Sequence, residues 1–205
     1  MNEKFTEILQ KAKEVFMRLG LKSVTMDDVS RELGISKKTL YQFVSDKNDL
    51  IIKSVELDLQ ENKCKVDAVM SMDENAIDQL LMVNNVVSEK MKQVHPSILF
   101  DMQKYYPEAW RLLIEHRQSY VVEIIAQNLK LGIAQGIYRQ NLNIELIARL
   151  YTSKMEILSN EILFPIGKFG HDEVITEFMK YHFYGVVNEK GKQYLELILN
   201  QISKS

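Results

Sequence analysis

One cysteine, Cys64, leaves this chain without an intramolecular disulfide, and a lone thiol suits a reducing compartment. Three prolines and eight glycines among 205 residues are too few for a loop-rich β architecture and favour helices. No window reaches the ~18 apolar residues that a membrane span needs. No charged start followed by an apolar run succeeds Met1, so no signal peptide is expected. These absences predict a soluble, cytoplasmic protein that does not engage a membrane. The four histidines, His95, His116, His171 and His182, never pair at three or four residues' spacing, which argues against a metal site. A glycine-rich phosphate loop, a nucleophile elbow and a paired-carboxylate arrangement are also missing. Neither an enzyme nor a cofactor is expected.

Charge has little bias either. The net charge is −2, against the basic balance common in nucleic-acid-binding domains. The first fifty residues carry nine Lys/Arg against eight Asp/Glu, and the remainder seventeen against twenty. Position matters more than the sum. Asp27, Asp28 and Glu32 precede a compact basic pair, Lys37 and Lys38.

What the sequence does have lies between Val24 and Leu50, VTMDDVSRELGISKKTLYQFVSDKNDL. Met26, Val29 and Leu33 form one face of a short helix begun by Thr25, whose hydroxyl can cap it. Gly34 supplies the positive φ of a tight turn, and Ile35 plugs it. Ser36 then caps a second helix that carries Leu40, Phe43 and Val44 inward. Its outward face displays Lys37, Lys38, Thr39, Tyr41 and Gln42. Cations, hydroxyls and an amide on a slim helix are what a major groove requires. Lys37 and Lys38 stand in the first turn, where positive charge opposes the helix dipole, so an anionic partner explains them better than folding does.

With the preceding helix, this segment resembles the DNA-binding domain of the TetR family of transcriptional regulators. Ala12, Phe16, Gly20, Thr25, Met26, Gly34, Ile35 and Ser36 carry the likeness, followed by Thr39-Leu40-Tyr41, Phe43, Lys47 and Leu50. It spans roughly the first fifty residues. Thr25, Ser36, Lys37, Lys38, Thr39, Tyr41, Gln42 and Lys47 are the residues expected to meet double-stranded operator DNA. The resemblance makes Tyr41 a phosphate contact, whereas the family often carries an aromatic residue or His where Gln42 stands, and an amide there could read an adenine edge or do nothing. The resemblance also implies a homodimer joined through the C-terminal helices and reading a palindrome.

The remaining chain reads as helices nearly throughout. The first ends at Gly20, and a fourth begins near Lys47 after a Ser45 or Asp46 cap and runs to about Met70. Asp73-Glu74 open a helix to about Gln93, Pro96 starts a short one, and Pro107 a long one to about Gly136. Asn143 caps a helix stopped by Pro165, Asp172 opens another through Val187, and the last runs to about Ile202. The fold class is all-α: an N-terminal three-helix helix-turn-helix domain joined by a long helix to a larger helical bundle. Residues 1–46 form the DNA-binding domain, and residues 47–205 the ligand-binding and dimerisation domain.

In the larger part, Trp110, Tyr120, Tyr151, Met155, Phe178 and His182 come from three helices able to surround a small-molecule effector, with Phe100 and Met102 closing it. Arg117 and Ser159 join His182 as polar candidates for that site. The same residue types at helical spacing also build ordinary core, so type alone does not separate the two. The expected function is a ligand-responsive repressor released from its operator by an apolar or amphipathic molecule. The alternative is an architectural DNA-binding protein with no effector.

Overall fold

The computed structural model describes residues 3–95, 97–158, 163–165 and 167–202, apart from the side chains at 155, 156, 171 and 202. Among these residues the regular structure is helical: α1 (Glu3–Leu19), α2 (Met26–Leu33), α3 (Lys37–Leu40), α4 (Lys47–Met70), α5 (Ala76–Met91) and α6 (Ile98–Tyr105) lead to α7 (Pro107–His116). A π-helical turn (Arg117–Val121) then passes into α8 (Val122–Ala134), followed by α9 (Ile144–Leu158), α10 (His171–Val186) and α11 (Glu189–Ile202). The one extended contact among them is an isolated antiparallel bridge between Tyr138 and Val187. No helix among the described residues is long and apolar enough to cross a membrane.

Local chemistry sets most boundaries. Asp46, not Ser45, caps α4: its Oδ1 accepts from Asp49 N at 2.8 Å. The Asn143 side chain accepts from Leu146 N at 3.1 Å at the start of α9. Three expectations shift. The helix expected from Asp73-Glu74 starts at Ala76, because Asn75 Oδ1 takes the amides of Ile77 and Asp78 at 3.0 and 3.1 Å. The single helix expected from Pro107 to Gly136 is interrupted by the π turn, an extra residue in one turn of the spiral. The expected start at Pro96 and the stretch at 159–162 lie outside the described residues.

The chain divides into two compact units, Met1–Asp67 with Val86–His116, and Ala68–Asn85 with Arg117–Ser205. In the first, Ile8, Leu9, Ala12 and Phe16 of α1 meet Val29 of α2, Leu40, Val44 and the Leu50-Ile51 pair of α4. Ile98, Met102 and Ala109 complete that core, so the helix-turn-helix shares its interior with α6 and α7. In the second, Ile77 and Leu80 of α5 pack with Ile125, Leu129, Tyr138, Ala148, Tyr151, Phe183 and Leu195. Gly132 permits this closeness: a Cβ there would stand 2.2 Å from the Tyr138 ring. Buried Asn128 ties the layers, donating to Ala76 O at 2.7 Å and accepting from the Tyr138 hydroxyl at 3.3 Å.

Candidate functional site

The helix-turn-helix is built by reciprocal hydrogen bonds. Thr25 Oγ1 accepts from Asp28 N at 3.2 Å, while Asp28 Oδ2 accepts from Thr25 N at 2.9 Å and from its hydroxyl at 2.6 Å. The Thr25 hydrogen bonds hold the Asp28 carboxyl below its ordinary pKa. Such a capping box stabilises a helix by about 1 kcal/mol. It also occupies the Thr25 hydroxyl, so a phosphate would have to displace the bond to Asp28. Gly34 takes φ 65°, ψ 27° and donates to Arg31 O at 3.1 Å, and Ile35 N reaches Ser30 O at 3.0 Å. Nothing lies within 4 Å of a Cβ placed on Gly34; the turn needs its backbone freedom, not its small size.

Ser36 accepts from Thr39 N at 3.1 Å and shares a hydroxyl contact of 2.8 Å with Thr39. The α-helix that follows is shorter than the sequence suggests. After Leu40 the bonds tighten to Gln42 N–Thr39 O at 3.2 Å and Phe43 N–Leu40 O at 3.0 Å. Phe43 thereby turns inward and stacks on Phe5 of α1, with ring centroids 5.7 Å apart. Lys37, Lys38, Tyr41 and Gln42 are exposed, Thr39 half-buried.

The two lysines differ. Lys37 Nζ is 2.7 Å from Asp27 Oδ2 in the first turn of α2, and that hydrogen bond raises its pKa. The anion expected for Lys37 is thus supplied within the chain. Lys38 makes no ion pair among the described residues and is the freer cation. Lys47, half-buried at the head of α4, donates to Lys22 O at 3.3 Å and lies 5.7 Å from the centre of the Tyr106 ring. Lys22 in turn donates to the Tyr105 hydroxyl at 3.2 Å. Near it, Leu19, Ser23, His95, Ser97 and Asp101 help line an open depression of about 560 Å³.

Predicted effector residues separate between the units. Met102 is buried in the first core, and Trp110 packs against it. Phe100, expected to close a cavity, is exposed. Arg117 is buried and Tyr120 half-buried on the π turn. Ser159 and the Met155 side chain lie outside the described residues. Tyr151, Phe178 and His182 do come together in the second unit. The Tyr151 ring meets Phe178 and His182 edge-on at 5.6 and 4.7 Å, and His182 stacks over Phe178 at 6.3 Å.

At the centre of this group is a residue that sequence reasoning missed. Lys154 is only 7% exposed, with its Nζ 3.7 Å from the Tyr151 ring centre, 4.4 Å from that of Phe178 and 3.6 Å from Met179 Sδ. No carboxylate pairs with it among the described residues. Burying an ammonium costs several kcal/mol, and a desolvated cation–π contact returns about 2 kcal/mol. The deficit shows as a loss of basicity: burial lowers the Lys154 pKa to about 7. His182, 8% exposed, is lowered to about 4, by burial and then by the charge of Lys154. Its Nε2 is buried without a hydrogen-bond partner among the described residues. A signal was present in the sequence: position 154 follows Tyr151 by three and Ile147 by seven, on the inward face of α9.

Residues 8–53 match the family described as bacterial regulatory proteins, tetR family. The chain is 27% identical over 174 residues to the uncharacterized HTH-type transcriptional regulator YfiR of Bacillus subtilis (strain 168), covering 79% of this chain and 82% of that protein. It is 23% identical over 156 residues to the HTH-type transcriptional repressor KstR2 of Mycobacterium tuberculosis, covering 73% and 76%. A transcriptional regulator from Saccharomonospora viridis, solved in complex with choline, has a similar fold: TM-score 0.74 at 16% identity, over 92% of this chain and 100% of that one.

Proposed function

The chain belongs to the TetR family of transcriptional regulators, and from that premise we propose that it is a homodimeric repressor released from a palindromic operator by a small amphipathic effector. Residues 1–46 recognise DNA, and residues 47–205 hold the effector and the dimer contact. The observation that carries the reading is the outward set Lys37, Lys38, Tyr41 and Gln42 behind the capped turn at Gly34. Lys38 meets phosphate directly. Lys37 exchanges Asp27 for phosphate, and Tyr41 and Gln42 face the groove. Thr25, Ser36, Thr39 and Lys47 lend hydroxyls or charge at the backbone, which positions the protein without reading sequence.

Repression fits the relative KstR2, which is a transcriptional repressor. A small-molecule effector fits the structural neighbour in complex with choline. Buried Lys154 and His182, without an ion-pair partner and a hydrogen-bond partner for Nε2 respectively among the described residues, favour a sensor over an architectural DNA-binding protein, which has no use for them. α4 (Lys47–Met70) is the element through which the effector acts. It begins beside the recognition helix and runs for ~36 Å at the α-helical rise. Altering DNA affinity tenfold requires only ~1.4 kcal/mol of coupling.

The test is selection of genomic fragments by the purified protein at moderate salt, with a Lys37→Ala/Lys38→Ala variant beside it. The expected result is one or a few palindromes near promoters, lost in the variant while its thermal stability is unchanged. Many scattered sites would favour the architectural protein. Undiminished binding by the variant would move the recognition surface elsewhere.

A further inference from the structure

Lys154 and His182 present two buried nitrogens against the same pair of rings, Tyr151 and Phe178. The ammonium makes no ion pair among the described residues and rests on π faces and the Met179 sulfur. His182 Nε2 has no hydrogen-bond partner among the described residues. A cation placed so deeply for folding alone would be expected to carry its own carboxylate, since an unpaired buried charge is destabilising and an apolar residue of similar volume fits better. A buried cation that the described residues leave unpaired is poised for an anion from outside.

We infer that Lys154, helped by His182, is the anchor for the carboxylate of an amphipathic acid, whose apolar body lies against Tyr151, Phe178 and Met179. The inference rests on the reading of the chain as an effector-responsive regulator and names the chemical class of that effector. The aromatic and thioether walls favour a ligand with one charged end over a small inorganic anion, because they offer nothing to solvate the other sides of a bare ion. They equally disfavour a cationic ligand, since the ammonium already occupies the ring faces that would hold one. The carboxylate accepts hydrogen bonds from Lys154 Nζ and from the Nε2–H tautomer of His182, two charge-assisted bonds in a dry setting.

The full-length protein is titrated calorimetrically with decanoate, 4-phenylbutyrate and deoxycholate, with the methyl ester of each, and with inorganic phosphate. At least one acid is expected to bind tenfold or more tightly than its ester, with no binding of phosphate. Lys154→Met should abolish that preference and leave the affinity for the ester unchanged; Lys154→Arg should keep part of it. Met matches the lysine stem and removes a buried charge, so folding is not at stake, and Lys154→Gln serves as a second variant. Equal binding of acid and ester, phosphate binding as tight as the acids, a preference that survives Lys154→Met, or no binding by any of the three acids would overturn the inference. Release of operator DNA is measured in parallel. An ester that releases DNA from wild type and variant alike would sink the carboxylate anchor and leave the regulator standing. Lys154-dependent binding without any effect on DNA would retain the anchor and sink the effector reading.

Discussion

A lysine whose pKa falls from the ordinary 10.5 to about 7 on folding binds fewer protons in the native than in the unfolded state throughout that interval. Stability therefore rises with pH from about 7 towards 10, as the unfolded chain gives up the proton that the native state already lacks. His182, lowered from 6.5 to about 4, acts in the same direction between those values. Above pH 10 the slope reverses, because burial raises the Tyr138 and Tyr151 hydroxyls and the unfolded chain then ionises first. Lys90, lowered chiefly by burial despite its pairing with Asp58, adds an upward slope of its own, so the decisive measurement is a difference. Urea unfolding of wild type should strengthen between pH 7 and 9.5, and Lys154→Met should be more stable at pH 7 and flatter across the window. Parallel profiles for the two proteins would mean that Lys154 is solvated or paired.

Helices announce their beginnings in this sequence because capping is chemistry between near neighbours. Thr25, Ser36 and Asn143 each precede their helix by one residue and accept from an amide three residues on. The helix-turn-helix and the all-α class were legible for the same reason. The π turn was not: Leu113, Ile114, Tyr120, Val121 and Ile124 keep helical spacing across it, and one extra residue leaves no mark on composition. Nor does periodicity say which core an inward face will join. Met102 and Trp110 look alike as cavity wall or as core, and only the fold puts them with Phe16 and Leu40. Asp27 and Lys37 are ten residues apart in sequence and pair only because the turn at Gly34 folds α3 back against α2. Lys154 went unread because a lysine is so seldom buried. The placement of Trp110 has a measurable consequence. Trp110→Ala should lower unfolding stability by ~3 kcal/mol, the low end for a buried Trp because this one is half-buried. A loss below ~1 kcal/mol accompanied by an altered effector response would return Trp110 to ligand binding.

Two-fold assembly would explain an outer face of the second unit that the monomer leaves uncovered. On α10, Met179, His182 and Val186 turn inward, while Tyr181 is 80% exposed and Tyr184 is exposed beside it. On α11, Leu195 is buried and Leu197 63% exposed. Two neighbouring helices with apolar residues on opposite faces are expected to be covered on both, and exposed apolar patches of this kind mark association sites. In the dimer we propose, α10 and α11 of each subunit form that contact. A dimer tethers the second recognition helix near its half-site once the first has bound, and such linkage is worth ~10²–10⁴ in affinity without any new contact. Tyr181→Glu combined with Leu197→Glu places like charges in the contact and should yield a folded monomer by sedimentation. That monomer should bind a palindromic operator at least ~10²-fold more weakly, with little change for a single half-site. If the double variant stays dimeric, the subunits meet on another face, for which the exposed Leu146 and Leu150 of α9 are the next residues to replace. If it is monomeric yet keeps full operator affinity, recognition does not depend on two-fold pairing, and the palindrome goes with it.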